Sequence, residues 1–164
     1  MSLHRRAVRV RLRKDRALTG QIHISDGPSL TAFLSGKLFF LNLTDVLWEG
    51  SADDRRLPHL SVRLDEIIWV EPLDGTLHLS SAAMPSEEAR DVELHVDQGL
   101  KLHVQLNVAR ETRMSDYVDA NPGFLPLWSV RIVGGGDTLD RVALNHRAIE
   151  VIRELDATDP RSRP

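Results

Sequence analysis

The chain has 164 residues, 41% hydrophobic and 27% charged, with a formal net charge of −3 and no cysteine. That is enough apolar material for one ordinary core or two very small ones, and it sets the bulk of the chain apart from disordered sequences. Disulfides and thiolate metal sites are excluded, and the mild negative charge gives no general pull toward nucleic acid or anionic membrane.

"AVRVRLR" and "LTGQIHIS" alternate at period two around Lys14-Asp15, which predicts a hairpin. "SLTAFLSG" places apolar residues at helical spacing and stops at Gly36, so a short helix follows. "FFLNLTDVLWE" reads as a strand. "HLSVRL" and "IIWVEP" form a last pair of strands around Asp65-Glu66. After residues 75–89, small and polar toward their end, "DVELHV" and "LKLHVQLNV" predict a second hairpin around "DQG". "RMSDYVDA" is the second short helical signal, stopped by Asn121-Pro122. "FLPLWSVRIV" is a strand in which Pro126 removes an amide donor, predicting an edge or a bulge. "AIEVIREL" fits a helix by propensity, but its counterpart "IIWV" favours a strand, and strand is the expectation. The basic N-terminus runs into an alternating strand where a signal peptide needs a continuous apolar run, and no stretch approaches the roughly 18 apolar residues of a membrane helix. The cytoplasm is the expected compartment.

The same order occurs twice. At a shift of 84, Phe40, Leu41, Leu43 and Val46 meet Phe124, Leu125, Leu127 and Val130; past a shortened loop the shift becomes 82, and Leu73-Asp74 meets Leu155-Asp156. The pattern predicts an internal duplication of a small five-stranded β-barrel-like unit with one short helix each, packed as a pseudo-twofold pair. The expected organisation is a first repeat over 1–74, a linker over 75–89, a second repeat over 90–156 and a mobile tail over 157–164. Phe40 and Phe124, occupying one equivalent place, are both expected in the core.

"MSDYV" (114–118), "FLPL" (124–127) and "LTDV" (43–46) resemble an uncharacterised family of small bacterial β-rich domains with an LSD-aromatic-Leu turn and a Phe-Ile-Pro-Leu-Thr-Asp strand. That resemblance implies no functional residues. The strand order also resembles Sm-like or SH3-like small barrels. "LSVRLDEIIWV" is similar to the second Sm motif, with Arg63 at the motif's Arg but Leu64 at its Gly, and the base-binding loop Asn has no counterpart. Arg5-x-x-x-Arg9 resembles the spacing with which PilZ domains hold cyclic-di-GMP, yet "NLTDVL" lacks the Ser and Gly of that family's second motif.

The least bland feature is the first hairpin. With Val8, Val10 and Leu12 inward, Arg9, Arg11 and Arg13 share the other face, extended by Arg5, Arg6, Lys14 and Arg16. Arg5, Arg6, Arg9, Arg11 and Arg13 are the candidate binding residues for an anion or an acidic partner; the competing reading pairs them with Asp91, Glu93 and Asp97. Glu93, His95 and His103 carry metal-ligand chemistry, but Lys101 beside them opposes a cation, and solvated strand positions are the expectation. "VGGGD" lacks the Lys-Ser/Thr of a phosphate loop, and no Ser-His-Asp set has a nucleophile elbow. The expected function is a non-enzymatic binding or scaffold module whose partner is another protein, without catalytic residues, metal or cofactor. The alternative is nucleic-acid or nucleotide binding through the basic hairpin face.

Overall fold

Alternating side chains make strands wherever one face can be buried, and among the described residues they make ten. The computed structural model describes residues 2–81 and 86–155, so the tail and Asp156 lie outside the described residues. In chain order the strands are β1 (Leu3–Leu12), β2 (Arg16–Ser25), β3 (Phe40–Trp48), β4 (Leu57–Arg63), β5 (Ile67–Pro72), β6 (Glu87–Val96), β7 (Leu100–Ala109), β8 (Phe124–Ile132), β9 (Thr138–Asn145) and β10 (Ile149–Glu154). Helix α1 (Leu30–Ser35) precedes β3, and α2 (Met114–Ala120) precedes β8. The Ser29 hydroxyl accepts from the Ala32 amide and caps α1, while Gly36 ends it. Lys14 and Asp15 both take positive φ, the backbone of a tight hairpin turn whose twist matches its strands. "AIEVIREL" is strand, as expected, after a single 3-10 turn over His146–Ala148.

All pairings are antiparallel, and they form one open sheet in the order β10-β6-β7-β8-β9-β5-β1-β2-β3-β4. Two sequence-based expectations are corrected by this order. In neither half do the fourth and fifth strands pair with each other, so the expected last pair does not form and the sheet stays open. The halves meet through β9 and β5, with Trp69 opposite Leu144 and Val70 opposite Ala143. These are the fourth strand of one half and the fifth of the other. A twofold axis would join equivalent strands, so the relation is head to tail and not pseudo-twofold.

Registers in the two halves correspond pair by pair. Val8 faces Gly20 as Val92 faces Val104, and Leu41 faces Val62 as Leu125 faces Leu144. The irregularity between Thr19 and Gln21 recurs between His103 and Gln105, and the facing strands carry left-handed Asp45 and Ser129. Such bulges bend a sheet, which lets each half curl over its own apolar cluster. Pro126 is not on an edge strand: β8 lies between β7 and β9, but its pairing with β7 ends at Trp128, so the missing amide is tolerated.

β5 is the seam. Its register with β1 skips Ile68, so Ile67 and Val70 enter the first cluster while Ile68 and Trp69 enter the second. Burial on both sides explains the unbroken apolar run "IIWV". Removing each such side chain from water stabilises by roughly 1.5–3 kcal/mol. Residues 75–81, read as linker, also pack: Leu77 and Leu79 are buried, and the His78 and Leu79 carbonyls accept from Leu30 and Thr31 amides. β6 begins at Glu87, inside the stretch read as linker.

Candidate functional site

Strand alternation places Arg5, Arg9 and Arg11 on one face of β1, with Thr19 and His23 directly across on β2. Their surroundings are acidic. Arg9 makes a two-pronged contact with Glu49, Nε to Oε1 at 2.5 Å and Nη2 to Oε2 at 2.8 Å, and reaches Glu71 at 3.8 Å. The Glu49 hydrogen bond raises the Arg9 pKa, and Arg9 lowers that of Glu49. Glu71 is pushed up, because its burial outweighs the attraction of Arg9. Arg11 pairs with Asp15 at 2.6 Å and lies 5.8 Å from the Trp69 ring centre. Arg6 is 3.8 Å from Asp74, and Arg16 is 3.4 Å from Glu66. Arg13 crosses to the second half, with Nε 3.0 Å from Asp97. Among the described residues only Arg5 of the five candidates has no acidic partner. The other arginines are therefore engaged in ion pairs, partly buried at Arg9 and open to solvent at Asp15. Of the acids weighed as partners, Asp97 takes Arg13, whereas Glu93 serves a different group.

Glu93 is not a solvated strand position, and this corrects the expectation. Its side chain is 12% exposed, and its carboxylate accepts from His95 Nε2 and His103 Nε2, both at 2.9 Å, and from Arg153 at 3.0 Å. Arg131 donates to His103 Nδ1 at 2.7 Å, which puts the His103 ring proton on Nε2, facing Glu93. Hydrogen bonds from Arg153, His95 and His103 hold the Glu93 pKa down at about 2. With Arg131 the set spans four strands, β6, β7, β8 and β10, and so ties the outermost strand to the sheet. The Arg153 guanidinium already supplies a positive charge at Glu93. Among the described residues no group of three or more His, Cys, Asp or Glu could hold a metal ion. Beside the cluster lies an open cleft of about 570 Å³, lined by Asp91, His103, Gln105, Arg131, Thr138 and Asp140. Its mixed charges suit hydrogen bonding to a polar group more than capture of a simple ion.

A contiguous run of exposed apolar residues has no counterpart among the sequence-based expectations. Leu38, Phe39 and Phe40 are 84%, 64% and 46% exposed at the entry to β3. Phe40 was expected in the core beside its counterpart; only Phe124 is there, at 7%. Phe124 is buried because β8 leans on α1, where the Ser35 hydroxyl accepts from the Phe124 amide at 3.0 Å. Phe40 stays half exposed, with the Arg63 guanidinium 5.4 Å from its ring centre. The signal was present: three large apolar residues in a row at a strand start cannot all point to one side.

No protein-family model, curated protein or solved structure matches the chain. Among the described residues no helix is long and apolar enough to cross a membrane.

Proposed function

We propose that the protein is a non-enzymatic binding or scaffold module that acts through protein–protein contacts. One observation carries this reading: the contiguous Leu38-Phe39-Phe40 shoulder stands exposed beside β4, the end of the sheet among the described residues. Exposed apolar side chains next to unpaired backbone donors and acceptors favour a protein surface as partner. The alternative, nucleic acid or a nucleotide on the basic hairpin face, loses support because acids inside the chain already hold Arg6, Arg9, Arg11 and Arg13. We also read the halves as duplicated copies of one small, strongly bent, barrel-like unit. The matched registers, bulges and left-handed residues support that reading.

Affinity capture with the intact chain tests the function. Recovery of a protein that survives nuclease treatment, persists in the R9Q/R11Q/R13Q variant and is lost in L38S/F39S is the expected result. Nuclease-sensitive capture, with heparin retention falling steeply with salt, would replace it with the alternative.

A further inference from the structure

The joint inside the chain has two sides, and each side has an uncovered counterpart at the far end of the sheet. On one side stands β5, whose Trp69 is 2% exposed; at the equivalent place in β10 is Val151, 47% exposed. On the other side stand β8 and β9, where Phe124 is 7% exposed; the equivalent place in β3 is Phe40, 46% exposed. The terminal strands of the sheet are β10 and β4, the fifth strand of one half and the fourth of the other. That is the combination that pairs internally as β5 and β9.

We propose that the protein assembles head to tail with further copies of itself, β10 of one chain adding to β4 of the next in the geometry of the internal β5–β9 joint. This deepens the binding reading by naming the partner, and it rests on the equivalence of the two halves. Copying the internal register sets Val151 opposite Val62 and Ile152 opposite Ser61. One step further, Glu150 faces Arg63, where the internal joint has Ile68 and Asn145. An apolar–polar pair is thus replaced by opposite charges, a complementary change on both partners at once. Among the described residues neither Glu150 nor Arg63 makes an ion pair, and the Arg63 guanidinium lies 5.4 Å from the Phe40 ring centre. The shoulder completes the match. At the internal joint Phe124 seats on α1 beside Ser35; between chains Phe40 seats on α2 beside Asp119, the counterpart of Ser35. A heterologous joint of this kind repeats until it closes a ring or grows a filament.

The test is light scattering on the intact chain after size exclusion, over a dilution series. The expected result is a mass several times the 18.5 kDa of one chain, fixed for a ring or growing with concentration for a filament. E150R and V151K should each reduce it to one chain with an unchanged melting temperature. Adding R63E to E150R should restore assembly, which a general loss of folding could not do. A monomer at every concentration overturns the proposal, as does a dimer indifferent to these substitutions. A monomer that still captures another protein through Leu38 and Phe39 would leave the binding reading standing and remove only self-assembly.

Discussion

Arg13 and Asp97 hold the same place in the two halves, at the tip of the first hairpin of each, and they pair with each other at 3.0 Å. Asp65 and Arg147 do the same at the bend before the last strand, at 2.8 Å. Identical halves set head to tail would bring like charges together at both places. Opposite charge at equivalent positions favours the joint instead of opposing it. Both pairs are partly exposed, so each contributes roughly 0.2–1 kcal/mol. Asp97→Arg should therefore lower stability by about that much or somewhat more through repulsion. Swapping both residues, Arg13→Asp with Asp97→Arg, should recover most of it in denaturant melts.

Phe124 and Phe40 should respond unequally to truncation despite their shared position. Phe124→Ala opens a cavity between β8 and α1 and should cost about 3–5 kcal/mol. Phe40→Ala removes an exposed ring and should change the stability of dilute monomer by less than about 1 kcal/mol. Urea unfolding of both variants checks this, and equal losses would put Phe40 in a core.

Acid should weaken the tie of β10 to the sheet. The Glu93 carboxylate sits well below its ordinary value of 4.5, at about 2. Its stabilisation is therefore fully present above pH 4.5 and is lost as pH falls through 2. The shift corresponds to up to about 3 kcal/mol. Glu49, also lowered, acts in the same direction, while Glu71, raised by burial, acts in the opposite one. Glu93→Gln should flatten stability against pH between 4.5 and 2, measured by melts at each pH.

Much of the fold was legible in the sequence because strand alternation and turn residues act locally. The hairpin at Lys14-Asp15, the helix ends at Ser29 and Gly36, and the run "IIWV" each carry their cause in neighbouring residues. The joint was not legible, since β5 and β9 lie about as far apart in sequence as the two halves do, and nothing local selects β9 over β10 as a partner for β5. Phe40 was misread for the same reason: whether a residue at that place is buried depends on which element stands beside it. The arginines of β1 were legible as a face. Their partners Glu49, Glu71 and Asp97 come from three distant turns and strands.

Arg9 should prove structural. Arg9→Gln leaves Glu49 and the half-buried Glu71 without their counter-charge, and a cost of about 1–2 kcal/mol is expected, more than an outward strand position usually carries. Arg5→Gln, which breaks no ion pair among the described residues, should be neutral within about 0.5 kcal/mol. Parallel melts of the two variants separate them.

Backbone amide exchange on the intact chain tests the continuous sheet most directly. Amides of β5 and β9 should be among the slowest to exchange, in the wild type and in E150R alike, because their ladder lies at the centre of the sheet. A seam that exchanges as fast as the loops, with each half protected separately, would show two independent units and contradict the head-to-tail body.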